Sequence, residues 1–237
     1  MLLRNRFLAS LAPADLASIL PITVEVALAR DEVLYEPGQR AEHVYFPSNA
    51  LISQVTLMRD GRAVDTATIG YESIVGALLA LSGGKSHARV FVQAAGQARR
   101  LPAVALRQLA AARPAVLERL MIHALQDAAM SEQCVACNAL HPAADRLARW
   151  LLMTQDRLGS PTLPLTQEYL AMMLGVQRTT VTALAQALQS AGLIRYRRGS
   201  VEILDREGVE ARSCECYAVD RGAFEPAFDA PMTGLRR

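Results

Sequence analysis

Apolar positions along the chain change their period twice. At residues 13–20, Leu16, Ile19 and Leu20 share one side of a short helix that Pro13 starts. From about residue 22 to 100, short β-rich runs are punctuated by turn signals: Glu36-Pro37-Gly38, Pro47-Ser48-Asn49, Asp60-Gly61 and Ser82-Gly83-Gly84. Between Leu51 and Leu57 every second position reads Leu, Ser, Val, Leu, the pattern of a half-buried strand. Asp60-Gly61 then turns the chain into a second strand at residues 63–69, a strong hairpin signal. Several strands at this spacing predict an antiparallel roll, barrel or sandwich.

At Leu101-Pro102 the strand signals stop, and helix formers dominate from Ala103 onward. Pro114 fits the first turn of a long helix running to about Asn138. Within it Leu117, Met121, Ala124, Ala128, Ser131, Val135 and Asn138 recur at spacings of four and three. That heptad stripe, with small members that allow close approach, predicts a dimer seam. The alternative is a helix packed on its own domain. After His141-Pro142, residues 143–158 form an amphipathic helix around Leu147, Trp150, Leu151 and Leu152, with Trp150 as a core anchor. Gly159-Ser160-Pro161 punctuates the chain before a C-terminal unit.

Residues 165–204 carry the most specific pattern. Thr166 caps a short helix whose first turn holds Gln167, Glu168 and Tyr169, with Leu170 and Leu174 facing inward. Ala171 is small where a second helix must cross, Gly175 supplies the turn, and Val176, Val181 and Leu184 are the apolar positions that follow. This is the spacing of a helix-turn-helix, whose second helix enters the major groove. The outward face of that helix reads Gln177, Arg178, Thr179, Thr180, Thr182 and Gln186, side chains suited to base edges and phosphates. A basic β-hairpin with Arg195, Arg197 and Arg198 follows directly as a wing. Together with Thr166 and Gln167, these are the candidate DNA-contacting residues.

The 237 residues fit one large domain or two small ones, and 51% apolar against 20% charged is enough to bury a core. Net charge is only +2, so bulk charge does not mark a nucleic-acid binder. Its distribution says more: residues 161–204 carry four Arg against two Glu, while residues 205–237 carry five Arg against seven acidic residues. Lys85 is the single lysine, so the positive charge is almost all guanidinium. No stretch approaches the roughly 18–20 apolar residues of a membrane span. The N-terminal apolar patch is interrupted by Pro13 and Asp15, which argues against a signal peptide. A cytoplasmic protein without a membrane partner is expected.

Cys134/Cys137 and Cys214/Cys216 are two pairs far apart in sequence. Without a secretory signal a disulfide framework is not expected. The second pair is CxC rather than the usual CxxC knuckle, so half-buried thiols are expected and no metal, although four thiolates could in principle hold zinc. No phosphate-binding glycine loop, G-x-S-x-G motif or paired acid–base carboxylates point to an enzyme.

The order of β-roll, long helix and winged helix-turn-helix resembles the Crp/Fnr superfamily of bacterial transcription regulators. Residues 33–38 and 44–47 (Val-Leu-Tyr-Glu-Pro-Gly and Val-Tyr-Phe-Pro) are similar to this family's opening strands, and residues 165–194 to its DNA module. The resemblance implies an α+β fold: an N-terminal antiparallel β-roll of cyclic-nucleotide-binding type (1–112), a dimerisation helix (113–140) and a C-terminal winged helix-turn-helix (141–237). It implies a homodimer on a palindromic operator in double-stranded DNA, an effector still to be identified, and RNA polymerase as a partner. Leu117, Met121, Ala124, Ala128 and Val135 would form the seam.

The departures are as informative. The glutamate that contacts the ribose in cyclic-AMP-binding members falls here on Ala77, and the arginine–serine pair on His87-Ala88. Glu72, Gly76, Lys85, His87 and Arg89 remain as shifted effector candidates, but the cyclic AMP pattern does not transfer. No cysteine precedes Cys134, which argues against the iron–sulfur cluster of other members. Haem stays open through His43, His87, His123 or His141. In the recognition helix the family's early arginine is matched by Arg178, while its usual glutamate is Thr179 and a second base-reading arginine is Ala183. Two other readings are a ligand-sensing or interaction module without DNA binding, and a thiol or metal redox sensor through the four cysteines.

Overall fold

The computed structural model describes residues 4–224. In chain order, α1 (Arg6–Ala9) and α2 (Pro13–Ile19) lead into β1 (Val24–Leu28), β2 (Val33–Tyr35), β3 (His43–Pro47), β4 (Leu51–Leu57) and β5 (Ala63–Ile69). After α3 (Ala77–Ser82) come β6 (Arg89–Ala94) and β7 (Gly96–Pro102), then the helices α4 (Ala103–Ala112), α5 (Pro114–Leu140) and α6 (Ala143–Leu158). The C-terminal unit contains β8 (Thr162–Leu163), α7 (Gln167–Leu174), α8 (Arg178–Ser190), β9 (Ile194–Arg197), β10 (Ser200–Ile203), α9 (Arg206–Glu210) and α10 (Cys216–Phe224).

The strands of the first unit form two antiparallel sheets, ordered β1-β7-β3 and β2-β6-β4-β5. Leu28, Tyr45 and Ala98 of the first sheet share a core with Tyr35, Ile52, Val90 and Val92 of the second, so the sheets close on each other as a roll. A second core joins the roll to the helices through Phe7, Phe46, Leu101, Leu106, Val116 and Leu120. Strand β4 departs from the half-buried pattern, because Leu51, Ile52 and Ser53 are all buried. Its partner strand explains this: Ser53 Oγ donates to Gln93 Oε1 of β6 at 2.8 Å, and the Gln93 amide reaches Met173 Sδ of α7 at 3.8 Å. The C-terminal unit thus covers a face that would otherwise meet water.

The helix predicted at residues 13–20 ends at Ile19, and Leu20–Ile22 tightens into a 3₁₀ turn around Pro21. Helix α5 is 27 residues long and two-faced. Val116, Leu120, His123, Cys134 and Cys137 are buried against the protein, whereas Leu117, Met121, Leu125 and Val135 stand exposed. Of the predicted stripe, Ala124 is half-buried and Ala128, Ser131 and Asn138 are exposed. Leu125, 72% exposed, belongs to the same apolar face. Among the described residues no helix is long and apolar enough to cross a membrane.

Candidate nucleic-acid interface

Thr166 caps α7 by accepting the Tyr169 amide at 3.2 Å, and Gly175 ends that helix in the left-handed conformation at φ 64°. Helix α8 then crosses α7 over a core of Leu170, Met173, Leu174, Val181 and Leu188. Burying that side leaves Gln177, Arg178, Thr179, Thr180 and Gln186 exposed on the other. Thr182 is half-buried, and its hydroxyl donates to the Arg178 carbonyl at 3.0 Å, so its oxygen is partly engaged by its own helix. Arg178, the first residue of α8, stands exposed at the helix N-terminus.

The wing is the antiparallel pair β9–β10, with β8 on its far edge. Arg197 and Arg198 are exposed at its tip. Arg195, expected to join them, sits directly opposite Glu202 and donates to its carboxylate at 2.8 Å. The pair is cross-strand and solvent-exposed, so Arg195 stands on the wing beside Arg197 and Arg198 with an acidic neighbour. Tyr196 turns the other way: its amide donates to Gln189 Oε1 of α8 at 2.8 Å, which sets the angle between wing and recognition helix. Sequence patterning gave no signal for that tie. Thr166 likewise has its hydroxyl engaged as a cap, and Gln167 is half-buried beside Tyr196 in a cleft of about 170 Å³.

The helix-turn-helix is docked on the roll through α7. The Tyr169 ring stacks on Phe91 of β6 with centroids 5.8 Å apart, Arg30 lies over it at 5.3 Å, and its hydroxyl donates to the Asp31 carboxylate. Burial and the Asp31 charge push the Tyr169 phenol up to about 12. Asp31 adopts a positive φ of 67°, the left-handed region that an aspartate tolerates better than most residues. This docking uses α7 and leaves the polar face of α8 exposed.

The five effector candidates do not converge. Glu72 is buried and accepts from Arg157 Nε of α6 at 2.6 Å, so it joins the two units while bordering a cavity between β5 and α5. Gly76 has φ 83° and lies against Tyr35, whose hydroxyl an added Cβ would strike; its role is close packing. Arg89 pairs with Glu36 at 3.4 Å, and His87 is exposed. Lys85 lines a cavity of about 780 Å³ beside Arg40 and Arg107. A second cavity, of about 290 Å³, lies between β5 and α5 and is bordered by Ser73, Asp127 and Trp150. Near it the buried His123 Nε2 accepts from the Ile74 amide at 3.3 Å and faces the Asp127 carboxylate at 3.2 Å. Desolvation lowers the affinity of His123 for a proton and raises that of Asp127.

The cysteines separate in an unexpected way. Cys134 belongs to the core of the C-terminal unit. Cys137, Cys214 and Cys216 are buried together, and His141 completes a group of four whose donor atoms all lie within 4.8 Å of one another. The spacing Cys137-x-x-x-His141 was visible in the sequence, but nothing there placed Cys214 and Cys216 beside it.

A Crp-like helix-turn-helix domain model matches residues 145–212, and a cyclic nucleotide-binding domain model matches residues 25–113. No curated protein matches the chain. Among solved structures, the chain is similar to FixK2 from Bradyrhizobium japonicum, with TM-score 0.69 and 20% identity over 81% of this chain and 98% of that one. It is also similar to TTHA1359, a CRP/FNR-family transcriptional regulator from Thermus thermophilus, with TM-score 0.67 and 21% identity over 80% and 98% of the two chains. The c-di-GMP-responsive global regulator CLP of Xanthomonas campestris matches with TM-score 0.67 and 16% identity over 81% and 99%. With both domain models in this order on the fold that these regulators share, the chain belongs to the Crp/Fnr superfamily of DNA-binding transcription regulators.

Proposed function

We propose that the protein regulates transcription as a homodimer joined along α5, which binds a two-fold operator through paired α8 helices. The observation that carries this reading is the exposed face Gln177, Arg178, Thr179, Thr180 and Gln186, held out by a buried helix-turn-helix core and flanked by Arg197 and Arg198. Arg178 and its neighbours read base edges, and the wing arginines hold phosphates. The exposed stripe Leu117, Met121, Leu125 and Val135 supports the dimer, since a contiguous apolar face of this kind marks an association surface. The DNA-bound dimer acts through contact with RNA polymerase, in the cytoplasm. Its effector is not cyclic AMP, because Glu72 and Arg89 are already paired with Arg157 and Glu36 and His87-Ala88 supplies no guanidinium. No iron–sulfur cluster is involved.

The test is binding of the purified protein to its own upstream DNA at two salt concentrations, with footprinting. Protection of a palindrome, retained against random competitor at the higher salt, supports the proposal. Equal affinity for palindrome and random duplex overturns it.

A further inference from the structure

We propose that Cys137, His141, Cys214 and Cys216 form a closed structural zinc site that fastens α10 to the corner between α5 and α6. Cys137 lies in the last turn of α5, His141 is the residue after that helix, Cys216 opens α10 and Cys214 lies two residues before it. In sequence the two halves are 77 residues apart from Cys137 to Cys214, yet their sulfurs approach to 3.6 Å. Cys216 Sγ lies 3.5 Å from His141 Nδ1. Zinc bonds of about 2.3 Å to sulfur and 2.0–2.1 Å to nitrogen define a tetrahedron with S···S edges of about 3.8 Å and S···N edges of about 3.5 Å. The Cys137–Cys214 and Cys216–His141 edges already stand near those values, and all four donors lie within 4.8 Å of one another. A disulfide needs sulfurs about 2.05 Å apart and would use only two of the four groups.

The donor chemistry selects the ion. Three thiolates and one imidazole are a soft, four-coordinate set that suits zinc and leaves no position for substrate, so the role is structural. The surroundings fit a metal-bound ring: His141 Nε2 faces both Glu215 carboxylate oxygens, at 3.2 and 3.1 Å, which leaves Nδ1 directed at the sulfurs. Gln133 Nε2 donates to Cys216 Sγ at 3.0 Å, and Arg149 Nη1 to Cys137 Sγ at 3.6 Å. Three thiolates and Zn²⁺ leave one net negative charge, which would favour sulfurs that accept hydrogen bonds from these donors. Arg149 also holds Asp220 of α10 at 2.5 Å, with both side chains almost fully buried. The same guanidinium therefore ties the cluster to the helix it anchors.

The full-length protein, purified under reducing conditions without metal-affinity steps, is analysed by mass spectrometry of its metals. It is then reloaded with Co²⁺ as an optical probe. One zinc per chain is expected, and the cobalt form should show the visible bands of a tetrahedral site with sulfur-to-metal charge transfer. Cys214→Ser and Cys216→Ser should lose the bound metal, while Cys134→Ser keeps one equivalent. His141→Cys should retain the ion with a spectrum shifted toward four sulfurs, which separates ligand loss from misfolding. Absence of zinc together with no cobalt spectrum in the wild-type protein overturns the site. So does recovery of two fewer free thiols, which would indicate a Cys137–Cys214 disulfide. Retention of metal in both serine variants also overturns it.

Discussion

Arg157 and Glu72 meet at 2.6 Å, 85 residues apart in sequence, and both side chains are nearly buried. The pair ties α6, which leads into the helix-turn-helix, to the loop after β5 of the roll. Gly70 makes room for it: an added Cβ would lie 2.7 Å from Glu72 Oε2 and 2.9 Å from Arg157 Cγ. Its amide also donates to Glu72 Oε1 at 3.1 Å.

Removing one partner leaves the other charge buried and uncompensated. Glu72→Ala is expected to cost about 3–5 kcal/mol in urea unfolding, whereas Glu72→Leu combined with Arg157→Met should recover most of that loss. A Glu72→Ala variant of wild-type stability would show that water reaches this pair.

Asp65 gives the fold a pH dependence. Burial raises its carboxyl to about 7, against a weaker opposing hydrogen bond from Thr68. The folded state therefore holds a proton that the unfolded chain has lost above its ordinary value of about 3.9. Stability should fall as pH rises from about 4 to 7 and level off above that, a cost on the order of 4 kcal/mol. Asp65→Asn should flatten the profile and be the more stable protein at pH 8. Chemical denaturation at pH 5 and 8 measures both.

Ala128 stands exposed on the apolar face of α5. Ala128→Glu would place two like charges at the seam of a parallel pair and should shift the protein toward monomer in sedimentation velocity. A mutant that stays dimeric would put the seam elsewhere.

Two arginines should leave different marks on DNA affinity. Arg178→Ala is expected to cost roughly 1–3 kcal/mol per half-site and to relax preference at one base pair. Arg197→Ala should weaken operator and scrambled duplex alike and lower the salt slope by about one. Titrating both variants against both duplexes across a salt series separates base reading from phosphate clamping. Reversed signatures would exchange the two roles.

Cyclic AMP should show no micromolar heat of binding in calorimetry. Burying its phosphodiester needs a guanidinium or clustered backbone donors, and the Arg89 side chain is paired with Glu36. If binding is nevertheless seen, loss of that heat in Arg89→Ala or Lys85→Ala would identify the substitute.

Much of this protein was legible from neighbours in the chain. The strand at residues 51–57, the Asp60-Gly61 turn, the helix that Pro114 starts and the Thr166 cap all follow from contacts within a few residues. The helix-turn-helix was legible for the same reason, because its core and its polar face recur at helical spacing within about 25 residues. Tertiary structure decided what depends on approach between distant segments. Nothing local distinguishes Glu72 as a partner of Arg157, or Ser53 as a residue covered by the C-terminal unit. The cysteines make the point most sharply. Read along the chain, Cys134 and Cys137 are equivalent, but successive turns of α5 and the return of α10 send one into a hydrophobic core and the other beside His141, Cys214 and Cys216. Side-chain chemistry is written in the sequence, whereas which side chains share a few ångströms is set by how the helices pack.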